Sequence, residues 1–169
     1  MRSLLGVMVA LAVVVLQGCG LFGAKVEPPP PPPPPTRVAL RIVAAPDINP
    51  DGTGQAAPVQ LRIYELRGAS AFESADFFSI YDKDQAALGA DLAGKKELLI
   101  RPGEGKMLML EPGPDVKYLG AFAAYRRLED ARWRADLPII EHRTTVVEVR
   151  ISGTQLSLEV PPVAPLPPP

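Results

Sequence analysis

The chain contains little of what a chemically active protein site usually needs. Among its 169 residues there are one cysteine and one histidine, Cys19 and His142, and the formal net charge is -1. A structural zinc site uses about four Cys or His ligands, so this chain offers no ligand set for zinc or a redox metal. A nearly neutral chain does not attract nucleic acid or another polyanion. We therefore expect no metal, no cofactor and no nucleic-acid partner.

Catalytic motifs are missing as well. The sequence has no Gly-rich phosphate loop, no GxSxG elbow and no HExxH helix. The pattern D-x-N-x-D resembles the start of an EF-hand loop, but Pro58 stands where the bidentate glutamate belongs. We expect no enzyme, although a hydrolase that uses scattered carboxylates stays an alternative. The available carboxylates follow no distinctive spacing: Asp47, Asp51, Asp82, Asp84, Asp91 and Glu97.

The first residues have the pattern of an export signal. An apolar run, Leu4–Leu16, is shorter than the roughly 20 residues that cross a bilayer. The stretch Leu16-Gln17-Gly18-Cys19 looks like a bacterial lipobox, in which the cysteine is acylated and becomes the new N-terminus. We predict a signal peptide over residues 1–18 and a lipid, including palmitate, on Cys19. Gly20 replaces the aspartate that retains lipoproteins at the inner membrane, which favours the outer membrane. The alternative is a secreted protein with one unpaired thiol.

Proline is abundant where cysteine is scarce, and it marks both ends of the body. The unbroken run Pro28–Pro35 must adopt polyproline II, because proline fixes φ and lacks a backbone donor. It predicts a stiff spacer roughly 25 Å long within residues 19–36. A ligand for a proline-binding module is the alternative. Residues 161–169 form a second proline-rich segment, which closes the domain.

Residues 37–160 predict a single all-β domain. Apolar and polar residues alternate with a period of two in short segments, which turn residues separate. This pattern indicates a β-sandwich. The predicted strands are Arg37–Ala45, Val59–Leu66, Lys96–Ile100, Lys106–Glu111, Lys117–Tyr125, Trp133–Ile140, Thr144–Ile151 and Gln155–Val160.

One helix is expected after the second strand. Ser70 and Glu73 have the spacing of a capping box, which predicts a helix over Ala71–Asp82 that covers one sheet face. The strand Lys117–Tyr125 is apolar on both faces, so we place it between the sandwich core and this helix. Pro138 marks an edge strand. Residues 83–94 stay ambiguous between helix and loop.

The segment Pro46–Pro58 predicts a long exposed loop rich in turn formers. Ile48 is its one large apolar residue, and we expect it to anchor a binding partner. The alternative is a flexible connection without a binding role. Of the remaining unusual residues, His142 is expected to be solvated, and Trp133 to pack beneath the stems of its neighbouring arginines.

Several stretches together resemble the outer-membrane lipoproteins of the type VI secretion system, the TssJ family. They are APVQLRIYEL at Ala57–Leu66, ADFFSIY at Ala75–Tyr81, LGADL at Leu88–Leu92, LIRPG at Leu99–Gly103, Leu119–Tyr125 and Trp133-Arg134. The resemblance implies a transthyretin-like sandwich of two four-stranded sheets with an extra helix. It also implies that the lipoprotein tethers the periplasmic domain of the inner-membrane protein TssM to the outer membrane.

In the family, the loop between the first two strands makes the contact with TssM. By position, this carries over to Asp47, Ile48, Asn49, Pro50, Asp51, Gly52, Thr53, Gly54, Gln55 and Ala56. The expected partners are therefore TssM and the outer membrane, with no small-molecule substrate. The alternatives are a lipoprotein that faces the periplasm and binds a small ligand, and a passive structural lipoprotein.

Overall fold

The computed structural model describes residues 29–162. Pro29–Pro32 form neither helix nor strand and are exposed. The predicted signal peptide, Cys19 and the last residues of the proline-rich tail lie outside the described residues. No helix in the described part of the chain is long and apolar enough to cross a membrane.

The body is a sandwich of two four-stranded sheets, which confirms the predicted fold class. The first sheet has the order β4-β1-β7-β8, and the second has the order β3-β2-β5-β6. Edges fall at β3, β4, β6 and β8, so the strand that contains Pro138 is an edge, as expected. The strands are β1 Arg37–Ala44, β2 Val59–Leu66, β3 Leu92–Ile100, β4 Gly105–Leu110, β5 Tyr118–Ala124, β6 Arg134–Pro138, β7 Thr144–Ser152 and β8 Gln155–Glu159.

Strand β1 lies in the interior of the first sheet. It pairs with β7 in parallel, from Arg37↔Thr144 to Ala44↔Ile151, and with β4 in antiparallel orientation. Its first residue is bonded at one end of the body, where the Arg37 amide donates to the Arg143 carbonyl. Here the His142 amide also donates to the Thr36 hydroxyl, and the His142 ring is solvent-exposed, as expected. The chain therefore enters the body at this end and leaves β1 at the opposite one.

The helical insertion after β2 is confirmed, but its boundaries differ from those predicted. It consists of α1 Ser70–Ser74, α2 Phe77–Leu88 and a 3₁₀ turn over Gly89–Asp91. The capping-box prediction is wrong, since Ser70 lies inside α1 and no side chain caps that helix. Ala75 is extended, and Asp76 caps α2 by accepting from the Ser79 amide at 3.0 Å. A carboxylate at this position stabilises the helix start.

Strand β5 separates two apolar clusters, as its two apolar faces predict. Leu119, Ala121, Ala123 and Tyr125 face the core between the sheets. Phe122 faces the helices, where it packs in a second cluster with Tyr64, Leu66, Phe72, Ile80 and Leu88. A side chain at Gly120 would meet Phe72 at 3.2 Å, so glycine lets α1 approach the sheet. Trp133 packs edge-on against Phe122, and the Arg134 guanidinium lies 4.6 Å from its ring centroid.

A polar network also attaches α2 to the second sheet. Lys83 has non-helical dihedrals, and the Gln85 amide donates to the Asp84 side chain instead of completing the helix. The buried Arg62 guanidinium donates to the Ile80 and Tyr81 carbonyls at 3.0 and 2.9 Å. Asp84 accepts from the Tyr64 hydroxyl at 3.0 Å and from Lys95 at 2.8 Å. Burial opposes ionisation of Asp84, but these hydrogen bonds prevail and lower its pKa.

We predict that Asp84→Asn lowers the free energy of unfolding at pH 7 by about 2 kcal/mol, because it removes the charge that pairs with Arg62 and Lys95. A carboxylate whose pKa is lowered by folding stabilises the protein above its unfolded pKa of about 4, and this stabilisation is lost as the pH falls further. The difference between wild type and variant should therefore shrink below about pH 4. Chemical denaturation of both proteins over pH 3–7 measures this difference in the free energy of unfolding.

Asp82→Asn is the matched control, since Asp82 is exposed on the same helix. It should change the free energy of unfolding by less than about 0.5 kcal/mol. Equal effects of the two substitutions at pH 7 would contradict the assigned role of Asp84.

Candidate functional site

The loop between β1 and β2 lies at the end of the sandwich away from the chain entry. Its backbone is bonded to the β7–β8 turn, where the Asn49 amide donates to the Gly153 carbonyl at 2.8 Å. It also meets the β3–β4 turn, where the Gly103 amide donates to the Ala45 carbonyl at 3.1 Å. The β7–β8 and β3–β4 turns are therefore hydrogen-bonded to the beginning of the loop.

Asn49 holds the base of the loop. Its side chain is 3% exposed and its φ is 49°, in the left-handed region that asparagine tolerates better than most residues. The side-chain amide donates to the Pro58 carbonyl at 2.8 Å, and its oxygen accepts from the Arg126 amide at 2.9 Å. The buried Asn49 side chain therefore links the beginning of the loop to its end at Pro58, and both to the β5–β6 connection.

Asp51 organises the tip of the loop. One carboxylate oxygen accepts from the Thr53 hydroxyl at 2.7 Å, the Thr53 amide at 2.9 Å and the Gln55 amide at 3.0 Å. Those bonds, led by that of the Thr53 hydroxyl, lower the pKa of Asp51. The backbone closes the turn as well, since the Gly54 amide donates to the Asp51 carbonyl and Gly54 has a φ of 86°. The tip is a hydrogen-bonded turn with a defined shape.

Ile48 is the exception to the predicted exposure of the loop. Its side chain is 0% exposed and belongs to the core between the sheets. The prediction of an exposed side chain is therefore wrong for Ile48, and a contact with a partner would require this side chain to leave the core. A lone large apolar residue among turn formers is better explained as the residue that fixes the loop to the body.

The remaining predicted residues form the surface of the loop. Asp47, Gly52, Thr53, Gly54 and Gln55 are exposed, while Pro50, Asp51 and Ala56 are partly buried. Asp47 also accepts from the Gly153 amide at 3.2 Å. The structure therefore brings the predicted set together in one loop, but it offers a partner polar groups and backbone rather than an apolar anchor.

The residues of the D-x-N-x-D pattern do not converge. Asp47, Asn49 and Asp51 each bond a different part of the backbone, as described above. Among residues 29–162, no group of three or more His, Cys, Asp or Glu side chains is placed to hold a metal ion.

The scattered carboxylates also do not line a common cleft. Asp84 and Glu97 are brought together, but Lys95 lies between them, 2.8 Å from Asp84 and 3.0 Å from Glu97. The bond from Lys95 lowers the pKa of Glu97, which keeps this carboxylate charged. General acid catalysis needs a carboxyl whose pKa is raised towards neutrality. This cluster is built as an ion-pair network.

An aromatic surface lies next to the loop, and sequence reasoning missed it. Phe78 is 61% exposed and Tyr81 is 41% exposed on α2. With Arg126 and Leu128 they line a shallow groove of about 350 Å³. Arg126 is the residue whose amide bonds Asn49, so loop and groove are neighbours. Phe77 on the same helix packs inward instead, in contact with Phe122 and Trp133.

The chain resembles known type VI secretion lipoproteins. Residues 36–154 match the family model described as "Type VI secretion lipoprotein, VasD, EvfM, TssJ". The T6SS lipoprotein TssJ1 from Pseudomonas aeruginosa is 39% identical, with a TM-score of 0.74 over 78% of this chain and 100% of that chain. Serratia marcescens Lip, a membrane-bound component of the type VI secretion system, is 27% identical. Its TM-score is 0.69, over 74% of this chain and 98% of that chain. No curated protein sequence matches the chain.

We predict that Ile48→Ala lowers the free energy of unfolding by about 3 kcal/mol, because it leaves a cavity in the core. Gly52→Ala is the control in the same loop, where an added Cβ meets nothing within 4 Å. It should change stability by less than about 0.5 kcal/mol. Thermal and denaturant unfolding measure both. An Ile48→Ala protein as stable as the wild type would restore Ile48 as a candidate surface anchor.

Proposed function

Because the chain belongs to the type VI secretion lipoprotein family, TssJ, we propose that it tethers the periplasmic domain of TssM to the outer membrane. The anchor is the acylated Cys19, preceded by a signal peptide over residues 1–18. Residues 19–36 connect the anchor to the body, and the loop Asp47–Ala56 makes the contact. The protein faces the periplasm and acts by contact, without catalysing a reaction.

The observation that carries this proposal is the ordered loop at the end of the body opposite Thr36. A flexible loop loses conformational freedom when it binds, and this loss reduces affinity. Asn49 and Asp51 already fix the base and the tip in the free protein. A partner therefore meets a surface whose shape is set beforehand. The chain enters the body at Thr36, at the end opposite this surface.

Chains of two further type VI secretion structures share the fold of this protein. A chain of the structure described as "T6SS protein TssM C-terminal domain (869-1107) from EAEC" has a TM-score of 0.61 to this protein at 24% identity. A chain of a "Type VI membrane complex" has a TM-score of 0.63, also at 24% identity. At this identity the likeness is one of fold. It is consistent with an outer-membrane lipoprotein that works inside a larger assembly.

The contact surface we propose is the exposed tip together with the neighbouring groove. Since Ile48 is buried, apolar contact must come from elsewhere. Phe78 and Tyr81 are exposed in the neighbouring groove, and Arg126, which also lines it, adds a positive charge. Aromatic residues and arginine contribute disproportionately to binding at protein interfaces.

Gln55→Trp tests the loop as the contact. Gln55 is exposed, and only its backbone takes part in the bonds of the tip, so the bulky ring should block a partner without unfolding the loop. We expect the affinity for the purified TssM periplasmic domain to fall by about tenfold or more, which corresponds to about 1.4 kcal/mol. Isothermal titration calorimetry or biolayer interferometry measures it.

Gln85→Trp is the matched control, because Gln85 is exposed on α2 and the exchange of side chains is the same. Its affinity should stay within about threefold of the wild type. Unchanged binding by Gln55→Trp would exclude the loop as the contact, while an equal loss in both variants would point to a general effect of the added ring.

Cys19→Ser tests the anchor separately. Without the thiol there is no acylation, so we expect the protein in the soluble periplasmic fraction or retained at the inner membrane, with its affinity for TssM unchanged. Density-gradient fractionation of membranes and mass spectrometry of the N-terminal peptide are the measurements. A Cys19→Ser protein that still sediments with the outer membrane would contradict lipid anchoring at this residue.

A further inference from the structure

Strand β4 is one edge of the first sheet in the described part of the chain. Among the described strands it pairs only with β1. The Ala44 amide donates to the Glu104 carbonyl at 3.0 Å, and hydrogen-bonded pairs alternate along an antiparallel ladder. Lys106, Leu108 and Leu110 therefore direct their backbone groups towards β1. The backbone groups of Gly105, Met107 and Met109 point away from the sheet, where they can pair with another strand.

The other edges of the described sandwich are protected against such pairing. Strand β3 carries the charged sequence Lys95-Lys96-Glu97, and β6 contains Pro138. Strand β8 is covered by Arg132, whose carbonyl accepts from the Leu156 amide at 2.9 Å. Charges, proline and covering segments are the devices by which proteins block edge-to-edge association.

Strand β4 lacks these devices. Met107 and Met109 are 69% and 58% exposed on the outer face of the first sheet. They lie beside Arg41 and Ala39 of β1, in the same register. The only charged side chain on β4 is Lys106, and its ammonium group pairs with Glu104 at 3.0 Å. An apolar edge of this kind is a template for strand addition.

We propose that β4 pairs with β4 of a second copy of this chain, in antiparallel orientation about a two-fold axis at Leu108. The segment Met107-Leu108-Met109 reads the same in both directions. Met107 then lies opposite Met109 of the second copy, and these are the residues whose backbone groups face outward. Leu108 meets Leu108 of the second copy on the other face. Such self-complementarity is what a symmetric dimer interface requires, and it favours a second copy over an unrelated strand.

This pairing needs neither TssM nor a side chain of the β1–β2 loop. One strand pair gives a small interface, and interfaces below about 1,200 Å² are typically weak. Confinement to one membrane, which rests on the proposed anchor, raises the local concentration of copies and compensates for weak affinity. The dimer is therefore best sought with the full chain in the membranes of cells that lack TssM.

Leu108→Cys tests the geometry. At the two-fold axis residue 108 forms a non-hydrogen-bonded pair with its counterpart, with Cα atoms about 4.5 Å apart, which suits a disulfide. We expect a disulfide-linked dimer on non-reducing gels, with a 108–108 linkage identified by peptide mass mapping. Leu99→Cys is the matched control, since Leu99 is 55% exposed on the β3 edge and should give no linkage.

Met107→Pro in the Leu108→Cys background tests the hydrogen bonding. The Met107 amide points away from β1 and has no strand partner among the described residues, so its removal by proline should preserve folding. Both copies lose a bond, and we expect the linked fraction to fall by about tenfold or more. Met107→Ala, which keeps the amide, should reduce it less. Circular dichroism shows whether the Met107→Pro protein folds. If it does not, Met109→Pro makes the same test.

The proposal fails if Leu108→Cys gives no 108–108 linkage, or if the proline variants fold and link as efficiently as their parent. A linkage from residue 108 to a different protein would overturn the second copy as the occupant. Because the measurement uses cells without TssM, loss of the dimer says nothing against the tether, and loss of TssM binding in Gln55→Trp says nothing against the dimer.

Discussion

The burial of β2 and β5 on both faces is the constraint on which the body depends. One face of each strand closes the core between the sheets, and the other lies under α1 and α2. The helices cannot rest on apolar contact alone, because β2 also presents Arg62 on that side. Burial of a cation needs compensating partners. The kink at Lys83 supplies them by freeing carbonyl groups of α2 that the guanidinium then binds.

Strand β5 also helps to fix the shape of the loop that we assign to binding. Where β5 ends, the Arg126 amide donates to Asn49, and Asn49 in turn holds Pro58 at the start of β2. The shape of the loop therefore depends on two strands that are among the most deeply buried in the chain. A binding loop set on rigid elements keeps its geometry without a partner, although most of its own atoms face solvent.

Residue alternation was sufficient to predict all eight strands to within a few residues, since period-two patterning reflects burial directly. The helix limits were harder. Two helices begin here where the sequence predicted one, at Ser70 and at Phe77, and only the second has a capping side chain, that of Asp76. The burial of Ile48 was not predictable, because it depends on residues brought close by the fold. The left-handed backbone of Asn49 did have a signal in the sequence. A residue before proline avoids the right-handed helical conformation, and asparagine tolerates the left-handed one better than most residues.

If the chain tethers TssM as we propose, the position of β1 acquires a mechanical role. Between Thr36 and the proposed contact loop the chain runs through one eight-residue strand, paired on both sides along most of its length. A pull between the anchor and TssM would act along β1, and it would load its hydrogen bonds to β4 and β7 together rather than one after another. An edge strand in this position would have bonds on one side only. A strand that is paired on both sides therefore resists extraction better than an edge strand would, which suits the proposed tether.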